Sequence, residues 1–65
     1  MRLTRDCSVI LHTADGKCRN AVLLQGQQFT QLWIRGEIVY VVCGGRFHAW
    51  HFVASDKWIR KNAEE

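Results

Sequence analysis

Three apolar segments follow one another between residues 29 and 53 and read FTQLWI (29–34), IVYVVC (38–43) and RFHAWHFV (46–53), with RGE (35–37) and GG (44–45) between them. Val, Ile, Tyr, Phe and Trp favour the pleated, half-buried surface of a β-strand. Gly36, Gly44 and Gly45 can take the positive φ angles that tight hairpins require. This stretch therefore predicts an antiparallel meander of three strands.

The segment Ser8–Leu24, upstream of the meander, has two interpretations that lead to different fold classes. In the first, SVILHT and CRNAVLL are strands joined by a turn at Asp15 and Gly16. In the second, Thr4 and Thr13 cap two short helices. A glycine in the first turn of the second helix and the β-branched residues of SVILHT favour the strands.

The favoured interpretation gives a mostly β fold in a single domain, residues 1–65. Ser55 has the character of a helix N-cap, and a short helix or 3₁₀ turn after it carries Trp58. Five short strands in one small domain are typical of a strongly bent, five-stranded barrel of the SH3-like or Sm-like kind. We expect an ordered core over about residues 7–60, a frayed tail over 61–65, and strands near residues 8–13, 18–24, 29–35, 38–43 and 46–53.

The order of these segments resembles that of Sm-like barrels, a class that includes bacterial inhibitors of the Rho termination factor. The resemblance rests on a first hairpin turned at Asp15-Gly16, the IVYVV segment, a glycine turn and the closing HFVASDKWI. It covers residues 8–59 at the level of pattern. It implies a small β-barrel.

The helical interpretation carries a second resemblance. LTRDCSVILHTADGKCRNAVLLQG (3–26) is similar to a helix-turn-helix, and CGGRFHAWHFVASDKWIRK (43–61) resembles the wing and closing segment of excisionase-type DNA-binding domains. This resemblance implies a duplex-DNA binder with Lys17–Leu24 in the major groove and the Gly44-Gly45 hairpin as wing. The stretch from Gln27 to Cys43 is longer than the usual link, which ranks this resemblance second.

The net charge indicates a class of partner, and the cysteine content indicates a cellular compartment. Nine Lys and Arg against six Asp and Glu give a net charge of +3, which suits nucleic acid or an acidic protein surface. Three cysteines, with no leader peptide before them, indicate a reducing cytoplasm. The longest apolar run, Ile38–Cys43, is far shorter than the roughly 20 residues of a membrane helix, so no membrane partner is expected.

The histidines and cysteines do not have the spacing of a metal site. Structural zinc sites commonly contain two cysteines about two to four residues apart, and this chain has no such pair. His48 and His51 point to opposite faces of a strand because their spacing is odd. No nucleophile motif or glycine-rich phosphate loop is present. The sequence predicts a protein that is not an enzyme and that holds no metal or cofactor.

Aromatic and basic residues give the strongest functional pattern. If Leu32 and Ile34 face the core, the third strand presents its other face to solvent, and the fifth strand adds a mixed aromatic and basic face. Small barrels stack single-stranded bases on exposed aromatic residues while Arg and Lys contact the phosphates. The predicted binding residues are Phe29, Trp33, Arg35, Arg46, His48 and Trp50.

Core packing, edge protection or a protein interface can produce the same pattern. In so small a barrel the tryptophans can all be core residues, and Arg35 and Arg46 can be charges that keep an edge strand soluble. Trp and Arg also anchor protein interfaces. We therefore expect a binding module for nucleic acid, single-stranded nucleic acid foremost, with a small inhibitor or adaptor of a partner protein as the alternative. A homodimer or higher oligomer is also expected, since the IVYVV segment needs cover on both edges.

Overall fold

The computed structural model describes residues 1–13, 15–44 and 50–65. The fold is mostly β with a short C-terminal helix, as the sequence predicts. In chain order its elements are β1 (Arg2–Leu3), β2 (Cys7–His12), β3 (Cys18–Leu23), β4 (Phe29–Ile34), β5 (Glu37–Val42), β6 (His51–Phe52), α1 (Asp56–Asn62) and β7 (Ala63–Glu64).

Two antiparallel hairpins form most of the sheet. β2 pairs with β3 along its whole length, and Gly16 in the connecting turn has a φ of +90°. β4 pairs with β5 through a turn in which Arg35 and Gly36 have φ angles of +52° and +79°, the two consecutive positive values of a type I′ turn. The strand interpretation of Ser8–Leu24 is thus confirmed, and the helical one does not hold.

The main sheet has five strands in the order β3-β2-β6-β5-β4 and does not close into the predicted barrel within the described residues. Closure would require β3 to pair with β4. The residues that join these strands bond instead to β1, because Leu3 N–H donates to Gln27 O at 3.0 Å and Gly26 N–H donates to Leu3 O at 2.9 Å. The N-terminal strand thus takes up the backbone groups at the start of β4.

The C-terminal tail does not fray as predicted but forms β7, which pairs with β1. Thr4 N–H donates to Asn62 O at 2.8 Å, and the Arg2 guanidinium donates to the Glu64 carboxylate at 3.0 Å. The two chain ends therefore support one another in a second, two-stranded sheet. The prediction failed because a two-residue strand has no periodicity to detect.

The core lies on one face of the five-stranded sheet and under α1. Phe29, Tyr40 and Phe52 are each at most 2% exposed, and their ring centroids lie 5.5–5.6 Å apart. Trp58 of α1 packs edge-on against Phe52 at 5.7 Å. Ser55 caps α1, since its hydroxyl accepts the Trp58 N–H at 3.1 Å. The cap at Ser55 and the position of Trp58 both agree with the prediction from the sequence. No helix in residues 1–13, 15–44 and 50–65 is long and apolar enough to cross a bilayer.

Candidate functional site

Phe29, Gln31 and Trp33 share one face of β4, as predicted, but this face is the one that turns toward the core. Phe29 is 1% exposed and belongs to the aromatic core, so it offers no surface to a partner. Trp33, at the far end of the strand, is 68% exposed. The predicted binding face presupposes that Leu32 and Ile34 face the core, but they lie on the outer face and are 44% and 45% exposed. Alternation defines two faces of a strand without showing which of them is buried.

The structure places the predicted aromatic residues at opposite ends of the sheet. Trp33 pairs with Ile38 of β5, whereas the Trp50 carbonyl accepts the N–H of Val42 at 2.9 Å. Positions 38 and 42 are separated by about 13 Å along β5, at roughly 3.3 Å per residue. Trp33 and Trp50 therefore do not form one continuous stacking surface.

The remaining predicted residues divide between these ends and the undescribed segment. Arg35 lies in the β4–β5 turn, directly after the strand that carries Trp33. Arg46 and His48 lie outside the described residues, as does the first half of the predicted strand 46–53. Of the predicted binding residues within the described part of the chain, Trp33 and Arg35 are thus exposed near one end of the sheet, and Trp50 lies separately and is half-buried.

Trp50 has a basic neighbour that the sequence analysis did not single out. The guanidinium carbon of Arg19 lies 6.0 Å from the centroid of the Trp50 ring, within the range of a cation–π contact. Trp50 itself is half-buried against the core. Because β6 joins β2 in the sheet, residues 19 and 50 come together across two strand pairings. The sequence contains no local signal for this contact.

A groove opens where β2 and β6 separate. Within the described residues the two strands pair at one position, where His12 lies opposite His51 with ring centroids 5.7 Å apart. After Phe52 the chain continues as Val53–Ser55, which is not part of a strand. The groove lies between this segment and β2 and has a volume of about 710 Å³.

The β2–β3 ladder shows which backbone groups of β2 face the groove. Thr13 N–H donates to the Lys17 carbonyl, directly before β3, at 2.9 Å. In an antiparallel ladder every second residue bonds to the same neighbouring strand, so Leu11, Val9 and Cys7 also bond toward β3. Ser8, Ile10 and His12 therefore direct their N–H and C=O groups toward β6. His12 meets β6 there, whereas Ser8 and Ile10 have no backbone partner on that side within the described part of the chain.

The groove wall is mainly apolar and combines side chains of the sheet with the start of α1. Ile10, Val22 and Val53 are each more than half exposed on it. Among the described residues the lining contains no Lys, Arg, Asp or Glu and consists of Ser8, Val9, Ile10, His12, Asn20, Ala21, Val22, Phe52, Val53, Ala54, Ser55 and Trp58. Such a surface suits an uncharged, partly apolar ligand with backbone-like polar groups.

The titratable groups show no catalytic arrangement within the described residues. Burial raises the pKa of the Cys7 thiol and of the Tyr40 hydroxyl, both in the core. The hydroxyl of Thr13 donates to the Asp15 carboxylate and, with the Lys17 N–H, lowers the pKa of that carboxyl in the exposed β2–β3 turn. No three His, Cys, Asp or Glu side chains come close enough together there to hold a metal ion.

Comparisons with protein-family models, curated proteins and solved structures find no match for this chain. The resemblances to Sm-like barrels and to excisionase-type domains therefore stay predictions. The function has to be inferred from the geometry of the groove and of the exposed aromatic residues.

Proposed function

We propose that this chain is a non-catalytic protein-binding module whose groove takes an extended segment of a partner protein. The observation that carries the proposal is the open edge of β2, where Ser8 and Ile10 direct backbone groups that are unpaired in the described part of the chain into an apolar groove. An extended peptide offers the alternating N–H and C=O groups that such an edge needs. This corresponds to the inhibitor or adaptor function, acting in a reducing cytoplasm.

The side chains of the groove define the partner segment. Val9, Ala21 and Trp58 line it with apolar surface, and Asn20 and Ser8 supply polar atoms. A bound strand directs alternate side chains to opposite faces, so one set of its side chains contacts this apolar surface. We therefore expect a segment that alternates apolar and small polar residues and carries no charge at its centre.

The absence of basic side chains from the described groove lining argues against nucleic acid at this site. Binding of a polyanion depends on Lys and Arg that neutralise phosphates and release counterions. None of the described residues that line the groove is a lysine or an arginine. Protein is thus the better ligand class for the groove.

A blocked pentapeptide of alternating valine and threonine is a direct probe of the groove. We expect it to shift the amide resonances of Ser8 and Ile10 and to quench the fluorescence of Trp58, which lines the groove. Ile10→Pro removes the N–H that points into the groove without breaking the β2–β3 ladder, and loss of this hydrogen bond should weaken binding roughly threefold to tenfold.

Ile10→Ala is the matched control, because it shortens the same side chain and keeps the backbone N–H. It should bind more tightly than Ile10→Pro. If the two variants bind the peptide equally, the β2 edge is not the docking site. If the peptide leaves the Ser8 and Ile10 resonances unmoved at millimolar concentration, the groove does not bind extended peptides.

A second candidate function, binding of single-stranded nucleic acid, is favoured by the contact between Arg19 and Trp50. Bases stack on exposed aromatic rings while Arg contacts phosphates. We expect mixed oligonucleotides to quench tryptophan fluorescence at low salt and to be released as salt rises. Trp50→Ala and Arg19→Gln should each reduce retention. Absence of quenching and retention at low salt would remove this function and leave the protein-binding proposal.

A further inference from the structure

We propose that two copies of this chain pair through their β4 strands and so form a two-fold symmetric dimer with a continuous sheet. This interface lies at the outer edge of the five-stranded sheet, two strands away from β6 and the groove. It is therefore independent of the proposed peptide binding. The partner is a second copy because the free edge of β4 is complementary to itself.

The edge of β4 that faces away from β5 carries unpaired backbone groups at alternate residues in the described part of the chain. Cys43 N–H donates to Gln28 O at 3.0 Å, so residues 28, 30, 32 and 34 bond toward β5. Residues 29, 31 and 33 point the other way. Phe29 N–H is taken by the carbonyl of Met1 at 2.9 Å. Gln31 and Trp33 keep free N–H and C=O groups, since neither has a backbone partner on that side in the described part of the chain.

β4 has none of the side chains that usually block pairing with another strand at an exposed edge. Natural edge strands are usually protected by Lys, Pro, a bulge or a covering segment. FTQLWI (29–34) contains no charged residue, proline or glycine. Leu32, Trp33 and Ile34 are 44%, 68% and 45% exposed along it. The opposite edge strand, β3, carries the charged Arg19.

One register uses the free N–H and C=O groups of Gln31 and Trp33 on both copies. When Gln31 of one copy lies opposite Trp33 of the other, both residues exchange their N–H and C=O groups with the second copy, and the two-fold axis passes through Leu32. The two Trp33 residues are then diagonal neighbours on one face, with their backbone positions about 7–8 Å apart, which is within reach of aromatic side chains. On the other face Leu32 meets its symmetry mate.

The size of this contact predicts a weak dimer. Stable interfaces bury about 1,200–2,000 Å² in total, and a buried aromatic side chain supplies about 150–250 Å². Two Trp33 rings supply about 300–500 Å², so together with a short strip of two strands the contact reaches at most the lower end of that range. We expect a concentration-dependent equilibrium with dissociation in the micromolar range or weaker.

Sedimentation equilibrium from micromolar to millimolar protein tests the proposal. The mass should rise from 7.6 kDa toward twice that value. Leu32→Lys and Leu32→Glu each place like charges opposite one another on the two-fold axis. Each variant alone should therefore have a dimer dissociation constant at least tenfold higher. An equimolar mixture of the two variants should dimerise again, since each lysine then faces a glutamate. Circular dichroism of each variant is the check that it is folded.

Val22→Lys is the matched control, because Val22 is 58% exposed on the other edge strand, β3. It should leave the dimer intact. If Val22→Lys dissociates the assembly as strongly as Leu32→Lys, β4 pairs with β3 of the next copy in a head-to-tail arrangement, and the two-fold dimer is wrong. A mass of 7.6 kDa at millimolar concentration, or a mixture of the Leu32 variants that stays monomeric, would also overturn the proposal.

Discussion

Gly16 turns β2 into β3 with a φ of +90°, a backbone conformation that side chains with a Cβ rarely adopt. A Cβ at this position would meet no atom within 4 Å, so the conformation alone opposes substitution. We expect Gly16→Val to lower the free energy of unfolding by roughly 1 kcal/mol or more. Urea denaturation measures this change.

Gly16→Asn is the control for that substitution, because asparagine tolerates positive φ better than a β-branched residue. It should cost less stability than Gly16→Val. A gain in stability on Gly16→Ala would contradict the hairpin, since alanine is favoured over glycine in a helix and disfavoured at this turn position.

The three cysteines differ in their surroundings and should differ in reactivity. Cys7 is buried, and burial raises the pKa of its thiol, whereas Cys18 and Cys43 are exposed. A raised pKa leaves less thiolate at any given pH, and the thiolate is the reactive form. We expect a thiol reagent at mildly alkaline pH to label two cysteines quickly and Cys7 only on unfolding. Equal labelling rates for all three would contradict the burial of Cys7.

The candidate site shows where prediction from single residues ends. The sequence identified Trp33 as an exposed aromatic residue, and the structure agrees. It also grouped Phe29 with Trp33. The two residues do share one face of β4, but Phe29 is buried and Trp33 is exposed. Arg19 beside Trp50 was missed because their contact depends on which strands become neighbours. Such contacts are a property of the topology, which no local pattern contains.

Ser55 sets the start of α1, because its hydroxyl accepts the Trp58 N–H. Asp56 in the first turn and Arg60 and Lys61 in the last turn match the polarity of the helix. We expect Ser55→Ala to lower the free energy of unfolding by about 1 kcal/mol. Ser8→Ala on an exposed strand position is the control and should change stability by less than half as much. Equal effects of the two substitutions would show that the cap does not stabilise α1.

Strands and turns were the most predictable part of the fold. β2, β3, β4 and β5 lie within about one residue of the predicted bounds, because period-two patterns and glycine turns are local signals. β1 and β7 were not predicted. Each has two residues, and they pair across nearly the whole length of the chain. Their pairing depends on where the sheet brings the chain ends, which explains the wrong prediction of a frayed tail.

Trp58 connects α1 to the core that supports the complete fold. It packs edge-on against Phe52 and belongs to the partly buried residues around the core. Loss of an aromatic side chain from the core lowers the free energy of unfolding by about a few kcal/mol, and a domain of this size is only marginally stable. Trp58→Ala should therefore unfold the protein or make it associate through exposed apolar surface.

Calorimetry and gel filtration of Trp58→Ala measure these effects. Trp33→Ala is the matched control, because Trp33 is 68% exposed and lies outside the core. It should leave the melting temperature nearly unchanged. If Trp58→Ala instead keeps the melting temperature and elution volume of the original protein, Trp58 contributes nothing to the core and becomes a better partner-binding residue than Trp50.

The predicted barrel failed at the level of the complete sheet. Five strands do form one sheet, and four of them lie within about one residue of the predicted bounds, but the N-terminal strand bonds to the residues between β3 and β4. Within the described residues β2 pairs with β6 at one position and then separates from it. Neither event has a local signal in the sequence. The groove is a direct consequence of that separation, and so is the function proposed for it.

Amide hydrogen exchange along β2, in the protein without any ligand, tests the open groove most directly. Val9 and Leu11 bond toward β3, whereas Ser8 and Ile10 direct their N–H groups into the groove. An open edge predicts slow exchange at Val9 and Leu11 and fast exchange at Ser8 and Ile10. Equal protection of Ile10 and Leu11 would mean that β2 is paired on both edges, and it would contradict the open groove on which the proposed function depends.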